Sequence, residues 1–412
     1  MKGGERTACC IAGGGPAGMM LGLLLARAGV DVLVLEKHAD FLRDFRGDTI
    51  HPSTLEVMHE LGMLEELLRL PHQQAGELRA QFGQEIVPVA DFTHLPTHCK
   101  FLALMPQWDF LDFLAGHAAR YPSFHLWMRA EVLGLIEESG RVVGVEVMTA
   151  EGRREVRADL VVGADGRHST VRQRAGLEIL ELGAPMDVLW FRLSRRSDDP
   201  ANIMGTFGSG RIFVMINRDS YWQCGYVIAK GSIDEIRARG IEAFRESIAR
   251  IVPFVRDRVG ELRGWEDVSL LTVRVDRLKT WYRPGLLCIG DAAHAMSPVG
   301  GVGINLALQD AVAAANLLAS PLREVRVTVA DLARVQRRRE LPTRVMQWVQ
   351  VQVQNRVIAP VLGGAATSRM PLLLRLLRRF AILRRLPARL MGIGVRPEHV
   401  KSVAAPGALT GR

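Results

Sequence analysis

The sequence has few cysteines and no pattern that pairs them. Its 412 residues contain five cysteines and no C-x-x-C spacing, which argues against a structural zinc site and against a disulfide framework. Cys9, Cys10 and Cys288 lie in apolar runs typical of buried strands, where cysteine acts as a small hydrophobic residue. We therefore predict a reducing compartment and a cytoplasmic location.

The sequence also lacks long apolar runs and a separate basic block. No window approaches the roughly 18 uninterrupted apolar residues of a membrane span, and the start of the chain is a poor signal peptide. The net charge is +9, but no nucleic-acid-binding motif accompanies it, so no nucleic-acid partner is expected. The strongest cluster of positive charge lies near the C-terminus, where arginines alternate with apolar residues. It consists of Arg375, Arg378, Arg379, Arg384, Arg385 and Arg389. This helix either has a solvated arginine face or makes a weak peripheral contact with anionic lipid.

A complete β-α-β unit opens the chain. Apolar stretches predict a buried strand at 7–12, a helix at 19–28 that ends at Gly29, and a second strand at 31–35. The loop between the first strand and the helix is a G-x-G-x-x-G sequence, made of Gly13, Gly14, Gly15, Pro16, Ala17 and Gly18. We call these six residues the glycine loop, and in this position it is typical of dinucleotide binding.

Each part of this unit has a physical role toward a dinucleotide. Gly13 permits the tight turn, Gly15 lets a pyrophosphate approach the backbone, and Gly18 lets the helix pack close to the strand. The amino end of the helix offers N–H groups and a positive dipole to the phosphates. Glu36, at the end of the second strand, can bind a ribose diol and would repel a 2′-phosphate, which favours FAD or NAD over NADP at this site.

Two further strands end in acidic turns. The strand at 160–163 is followed by Asp165-Gly166, and the strand at 286–289 is followed by Gly290-Asp291. A glycine-rich stretch at 298–305 then opens another helix. Asp291 can hold polyol hydroxyls, and the amides that open the helix can face the carbonyl oxygens of a flavin.

Together, these three motifs resemble the class A flavoprotein monooxygenases, the p-hydroxybenzoate-hydroxylase-like family of FAD-dependent aromatic and polyketide hydroxylases. The resemblance spans roughly residues 7–320. It implies an α/β fold: a glutathione-reductase-type, Rossmann-like FAD-binding domain with an inserted β-sheet substrate domain and C-terminal helices. It also implies non-covalent FAD, NADPH or NADH as co-substrate, and hydroxylation of an apolar aromatic or polyketide-like molecule by O₂ through a flavin C4a-hydroperoxide.

The resemblance also implies site residues. Arg46 would lie near the flavin and the nicotinamide, Pro298 near the reacting edge of the flavin, and Gln107 on the FAD sugar chain. The cofactor-binding set is Gly13, Gly15, Pro16, Ala17, Gly18, Glu36, Lys37, Arg46, Gln107, Val132, Asp165, Asp291, Gly301, Gly303, Ile304 and Asn305.

A catalytic base is harder to find. Tyrosines assist phenol deprotonation in the family, and this chain has only four. We expect Tyr226, with Trp190, in the sheet that roofs an apolar, aromatic-lined pocket, and we assign Tyr226 a catalytic role beside Arg46 and Pro298. Neither His51 nor His294 has metal-ligand companions at suitable spacing, so we predict no metal and packing roles for both.

The alternation of strand and helix signals divides the chain. The predicted cofactor domain is 1–70, 100–178 and 278–320, the substrate domain is 71–99 and 179–277, and a C-terminal helical segment with a loose tail is 321–412. We predict helices up to about Leu68, at 233–251, at 332–357 with an interruption at Pro342, and at 372–386. The tail begins near Ala404.

Other functions are weighed against this one. An FAD-dependent reductase or dehydrogenase of a hydrophobic isoprenoid or polyene shares the cofactor motifs, whereas a flavin halogenase would want a W-x-W-x-I-P stretch that the chain lacks. A non-enzymatic nucleic-acid or membrane-surface protein leaves the dinucleotide motifs unexplained. The substrate, the choice between NADH and NADPH, and the oligomeric state stay open.

Overall fold

The structure is a computed structural model, which describes residues 5–42, 49–82, 85–200, 205–208, 210–364 and 372–406. Arg46 lies outside the described residues. The strands are, in chain order, β1 (Glu5–Ala12), β2 (Val32–Glu36), β3 (Thr49–Ile50), β4 (Gln73–Ala75), β5 (Glu77–Phe82), β6 (Glu85–Asp91), β7 (Leu102–Leu104), β8 (Phe124–Met128), β9 (Glu131–Glu138), β10 (Arg141–Thr149), β11 (Gly152–Gly163), β12 (Ile179–Glu181), β13 (Met186–Ser194), β14 (Gly205–Gly208), β15 (Arg211–Asn217), β16 (Tyr221–Ala229), β17 (Ser269–Leu271), β18 (Asp276–Leu278), β19 (Tyr282–Arg283), β20 (Leu286–Cys288) and β21 (His294–Ala295). The α-helices are α1 (Pro16–Arg27), α2 (Pro52–Glu60), α3 (Leu64–Leu67), α4 (Gln107–Ala118), α5 (Thr170–Arg174), α6 (Ile233–Ala238), α7 (Gly240–Ile251), α8 (Gly303–Arg323), α9 (Val329–Val353), α10 (Ala359–Leu362), α11 (Leu372–Arg379) and α12 (Arg385–Gly392).

The largest sheet has eight strands among the described residues and a parallel centre. Its order is β19-β20-β11-β1-β2-β8, and the β9-β10 hairpin extends it from β11. Strand β2 and the second half of β11 are buried almost throughout, and α1, α4 and α8 contribute to the same core. Continuous apolar strands of this kind are typical of a covered parallel sheet. The predicted α/β fold is confirmed.

A second sheet has seven described strands in the order β17-β13-β16-β15-β14-β5-β6. Because side chains alternate along a strand, its two faces have different neighbours. Phe191 and Tyr226 pack on one face with Phe244 of α7. Trp190 and Val214 pack on the other face with β7 and the C-terminal helices.

Two long predicted helices are each divided in the structure. The helix predicted to end near Leu68 is two helices, α2 and α3, because Gly62 turns the chain with a φ of +70°. The helix predicted at 233–251 is divided beside Gly240, which has a φ of +84°. A left-handed residue cannot continue a right-handed helix, and glycine adopts this conformation without the usual steric cost.

The C-terminal helices also differ from the prediction. Helix α9 runs through Pro342 without interruption, since Pro342 is buried and the packing of this long helix outweighs the lost hydrogen bond. The basic helix predicted at 372–386 ends at Arg379. The Arg384 side chain donates to the carbonyls of Leu377 (2.8 Å) and Arg378 (2.9 Å). These two hydrogen bonds cap the C-terminal end of α11.

The end of the described chain is held in place. The Ala405 N–H donates to the Arg27 carbonyl (3.0 Å), and the Arg27 side chain donates to the Ser402 carbonyl (2.6 Å). Glu60 and Asn316 accept further backbone N–H groups from residues 400–402. Ala405 is therefore anchored, and the prediction of a loose tail from near Ala404 stays a prediction for the rest of that stretch.

One described helical segment has the length and apolarity of a membrane span. It is Val299–Arg323, but 83% of its most apolar window is buried inside the protein. Burial of this extent is typical of a core helix, and α8 packs against α1 and α9 in this way.

Candidate functional site

The three predicted motifs meet at one edge of the parallel sheet. Ala12 of β1 is in register with Gly163 of β11, which is in register with Cys288 of β20. Backbone hydrogen bonds continue past the strand ends, from the Ala164 N–H to the Ala12 carbonyl (2.8 Å) and from the Ile289 N–H to the Gly163 carbonyl (2.9 Å). The three turns therefore leave the sheet side by side, at the carboxyl ends of the strands, where α/β proteins bind ligands.

The glycines of the glycine loop have two different roles. The backbone fold requires glycine at Gly13 and Gly18, whereas Gly15 borders open space. A Cβ on Gly13, whose φ is +104°, would lie 2.4 Å from the Ala164 carbonyl oxygen, and a Cβ on Gly18 would lie 1.9 Å from the Gly13 carbonyl oxygen. A Cβ on Gly15 would meet nothing within 4 Å. Open space in front of the amino end of α1 is what the pyrophosphate of FAD requires, so the loop fits this cofactor.

Glu36 lies at the end of β2, beside the glycine loop. Its carboxylate accepts the Gly14 N–H (2.9 Å) and the His38 N–H (3.0 Å). These bonds hold the loop against the strand, and the carboxylate is mostly buried. Lys37 follows it on the surface. Glu36 therefore has a structural role in addition to the ribose contact that the sequence predicts.

Asp165 organises its own turn. Its carboxylate accepts the Ser169 hydroxyl (2.5 Å) and the Val171 N–H (3.1 Å), while the Ser169 hydroxyl oxygen accepts the Arg172 N–H (2.9 Å). Ser169 is therefore the N-cap of α5. Burial raises the pKa of the Asp165 carboxyl although these bonds oppose the shift. The Asp165 carboxylate is thus engaged within its own turn.

In contrast to Asp165, Asp291 has a carboxylate that is partly exposed and can bind a ligand. Its side chain is 29% exposed, and Arg167 approaches it at a nitrogen-to-oxygen distance of 3.5 Å. The preceding residue, Gly290, is fixed between two helices, since a Cβ there would lie 3.1 Å from the Ala17 Cβ and 3.2 Å from the Ala307 Cβ. A rigid turn that presents a partly exposed carboxylate fits the polyol chain of FAD.

A buried charge cluster holds this turn in place. Asp310 of α8 is fully buried, and its carboxylate accepts the Gly290 N–H (3.1 Å), His294 Nε2 (2.6 Å) and Arg339 Nε (2.9 Å). Arg339 in turn lies 3.5 Å from the Glu398 carboxylate. Burial opposes ionisation of Asp310, but His294 and Arg339 together hold its pKa below its usual value. We call these four side chains the Asp310 cluster.

The side chain of Asn305, in the first turn of α8, ties the glycine-rich stretch before this helix to residues 49–54. The Asn305 side-chain oxygen accepts the His51 N–H (3.0 Å) and the Thr54 hydroxyl (2.6 Å), and its amide donates to the Thr49 carbonyl (3.3 Å). The Asn305 side chain is thus engaged within the fold, so the predicted cofactor contact at Asn305 depends on its backbone. Its backbone, with those of Gly303 and Ile304, opens α8.

The loop itself runs from Pro298 to Gly303 and has two left-handed glycines. Gly300 has a φ of +79°, and Gly301, with a φ of +62°, would place a Cβ 2.9 Å from the Thr49 hydroxyl. His51 lies beneath this loop, where its Nδ1 is 2.7 Å from the Met391 carbonyl, and burial lowers the pKa of His51 to about 4. The loop is therefore held by residues from both ends of the chain.

Tyr226 needs a correction. Its hydroxyl is hydrogen-bonded to Ser247 of α7 (2.8 Å), and its ring packs against Phe213 and Phe244. It therefore lies on the face of the second sheet that α7 covers, opposite to Trp190. The assignment of Tyr226 as a catalytic residue is wrong, because strand alternation turns it away from the apolar face that Trp190 occupies.

The remaining predicted positions lie on α1, α4 and β9. Pro16 and Ala17 form the first turn of α1, and Gln107 is the first residue of α4. Val132 lies on β9, paired with Val147 of β10. All five cysteines are free and buried, and no group of three possible metal-ligating side chains occurs among the described residues.

Sequence reasoning missed Asp310, Arg339 and Met391. An acidic residue within the otherwise apolar helix that follows the glycine-rich loop was the available signal for Asp310, since buried charges are paired. No local signal marks Arg339 or Met391, because their partners are distant in sequence.

Comparison with known proteins agrees with this geometry. The family model described as "FAD binding domain" matches residues 6–349. A 6-methylpretetramide 4-monooxygenase from Streptomyces rimosus is 35% identical over 92% of this chain and 93% of its own length. An uncharacterised aromatic compound monooxygenase from Bacillus subtilis is 28% identical over 73% of this chain, and the aligned region spans 59% of that protein.

A solved structure shows the same fold. The anhydrotetracycline hydroxylase OxyS from Streptomyces rimosus superposes with a TM-score of 0.74 at 24% identity, over 94% of this chain and 76% of that one. The chain belongs to the FAD binding domain family and, within it, to the class A flavoprotein monooxygenases, so it is an FAD-dependent oxidoreductase that hydroxylates its substrate.

Proposed function

We propose that the enzyme hydroxylates a planar, largely apolar aromatic compound of the polyketide type, with NAD(P)H as reductant. The observation that carries this proposal is the apolar face of the second sheet, where Trp190 packs in one cluster with Val299 of the glycine-rich loop. A substrate held on this face would lie next to the cofactor edge. The relative that is 35% identical is named for 6-methylpretetramide, which supports a polyketide substrate.

The packing around Trp190 supports a flat ligand. Three atoms of the indole ring would lie 3.0–3.4 Å from a Cβ on Gly225, so the absence of a side chain at Gly225 gives the indole its place above the strand. Val214 and Met391 belong to the adjoining apolar cluster. Aromatic and aliphatic walls with few polar groups suit a planar apolar molecule.

The strand pairing supports the predicted division into domains. Strands β5 and β6 pair with the strands between residues 186 and 271 in the second sheet. We therefore propose that 71–99 and 179–277 supply the substrate side. The proposed cofactor side is 1–70, 100–178 and 278–320, with 321–412 as the C-terminal segment.

A group of cations beside the cofactor turns supports a nicotinamide dinucleotide as reductant. Burial, followed by the charges of Arg274, Arg167, Arg172 and Lys37, lowers the pKa of His168. These cations share one neighbourhood beside the Asp165-Gly166 turn. We propose that Arg274, Arg167 and Lys37 attract the phosphates of both FAD and NAD(P)H, whereas Arg172 is buried and paired with Asp276 (3.4 Å).

The residues of the chain position and shield the reaction. Bound FAD supplies electron transfer and oxygen activation. The glycine loop would bind its pyrophosphate and Asp291 its polyol chain. The amino end of α8 presents positive dipole to negative charge, and the wall around Trp190 excludes water from the reacting edge.

The proposal is tested by following the absorbance of the purified protein under anaerobic conditions. We expect the bands of oxidised flavin to bleach on addition of NADPH or NADH and to return with air. With a suitable aromatic substrate, oxygen consumption should accelerate and match product formation. Substrate turnover without oxygen consumption would instead support the isoprenoid or polyene reductase, and a protein that takes up no FAD would contradict both.

Trp190→Ala is expected to raise KM for the aromatic substrate about two- to tenfold, because an aromatic contact contributes about 0.5–1.5 kcal/mol beyond its buried area. Bleaching of the flavin by NAD(P)H should persist, and more hydrogen peroxide should form per NAD(P)H oxidised. Trp348→Ala is the matched control, since Trp348 is an exposed tryptophan on α9. Equal KM values for the two variants would remove Trp190 from the substrate site.

We also propose a cytoplasmic location, which the five free, buried cysteines support.

A further inference from the structure

The positive charge of the chain is concentrated in one segment. Residues 341–397 contain ten arginines and no aspartate or glutamate, whereas the whole chain has a net charge of +9. The rest of the chain is therefore close to neutral. The segment includes α11, α12 and the 3-10 turn Ala381–Arg384 between them. We call the exposed residues from Arg375 to Arg389 the arginine surface.

Large apolar side chains project from the arginine surface. Ile382 is 67% exposed, Leu386 is 72% exposed and Phe380 is 48% exposed. Ile86 is also exposed, on strand β6, against which α11 packs. Exposed apolar side chains grouped in one short segment are typical of an interaction site.

Several of the arginines have their charge available. Arg378 pairs with Glu85, and Arg384 caps α11. By contrast, Arg375, Arg379 and Arg389 form no ion pair with an acidic residue in the described part of the chain. Unpaired guanidinium groups beside exposed aliphatic side chains are the composition of helices that lie in the headgroup region of a membrane.

We propose that the arginine surface docks the enzyme on an anionic phospholipid membrane. The arginines complement the lipid phosphates, while Ile382 and Leu386 enter the region below them. A second copy of the chain fits less well, because two arginine surfaces would repel each other. A nucleic acid would satisfy the arginines but would leave Ile382 and Leu386 in water.

Docking in this way would place the lipid beside the apolar face of the second sheet, where Trp190 lies. Helix α12 has Leu386 on its exposed side, whereas Ala388 is buried in the cluster that contains Trp190 and Met391. A hydrophobic substrate dissolved in the membrane would then be a short distance from the apolar face of the second sheet.

The test is sedimentation of the full-length, FAD-loaded enzyme with vesicles. We expect binding to phosphatidylcholine vesicles that contain about one third phosphatidylglycerol, little binding to pure phosphatidylcholine, and release by high salt. Leu386→Asp and the double variant Arg375→Gln/Arg389→Gln should each lower binding at least about tenfold. Reduction of the flavin by NAD(P)H should be unchanged in both.

Matched controls separate the surface from a general effect of charge. Val325→Asp introduces an aspartate at an exposed valine just after the C-terminal end of α8, outside the arginine surface. Arg153→Gln/Arg154→Gln removes two arginines from β11. Both controls should bind like the wild type. The proposal would be overturned if the wild type does not bind vesicles at low salt, or if the controls lose as much binding as the test variants. It would also be overturned if the enzyme is a dimer that Leu386→Asp abolishes. A fourth contradicting result is binding to nucleic acid, unaffected by Leu386→Asp, in an enzyme that does not bind vesicles.

Discussion

Gly15→Val is expected to abolish FAD binding while leaving the protein folded. A Cβ at this position meets nothing within 4 Å, and the backbone is extended, with a φ of −74° and a ψ of −176°, so a branched side chain is sterically permitted. It would fill the space in front of the α1 N–H groups. Because charge-assisted hydrogen bonds contribute about 1.5–3 kcal/mol each, loss of two should weaken FAD binding at least about 100-fold.

The measurement is an FAD titration by fluorescence quenching, combined with thermal unfolding of the FAD-free protein. Gly116→Val is the matched control, since a Cβ there also meets nothing within 4 Å but the position lies in α4, away from the glycine loop. Gly18→Val gives the contrasting case, because it clashes with the Gly13 carbonyl and should destabilise the fold itself. Normal FAD affinity in Gly15→Val would remove the cofactor from this loop.

Asp310→Ala is expected to lower the free energy of unfolding by about 3–5 kcal/mol, because it leaves a buried arginine without its partner. It also removes the acceptor of the Gly290 N–H (3.1 Å), so the Asp291 turn should lose its fixed position and FAD affinity should fall. Chemical denaturation of the FAD-free protein measures the first effect and FAD titration the second. Glu324→Ala, an exposed carboxylate that contacts Arg326, should change neither.

The pH dependence gives this prediction a sign. The folded protein holds the pKa of Asp310 below its usual value, so its stabilisation is present above the unfolded pKa. It is lost as the pH falls through the folded pKa. The wild type should therefore lose more stability on acidification than Asp310→Asn does. Equal acid sensitivity in the two proteins would show that the Asp310 carboxylate is not the stabilising group.

The local part of the cofactor site could be predicted from the sequence. Gly13, Gly15 and Gly18 all lie in the turn between β1 and α1 or in the first turn of α1. The Ser169 cap likewise involves a hydrogen bond to a residue only three positions later. Patterns at such short separations are visible along the chain. Local patterns also mark two strands of the second sheet, β13 and β15, because residues 186–193 and 211–217 are mostly apolar.

What depends on distant contacts could not be predicted. The Asp310 cluster joins α8 to Arg339 and Glu398, and the Pro298–Gly303 loop is fixed through His51 and the Met391 carbonyl. Tyr226 shows a second limit. The alternation of β16 was visible in the sequence, but the face that α7 covers was not, so its side chain was placed on the wrong side of the sheet.

The most direct test is turnover with NAD(P)H and isotopically heavy O₂, followed by mass spectrometry of the product. A class A monooxygenase transfers one oxygen atom from O₂ to the substrate, so the product should gain a single heavy oxygen, and only when FAD is bound. Product that gains its oxygen from water, or product formed without any oxygen gain, would contradict hydroxylation as the reaction of this enzyme.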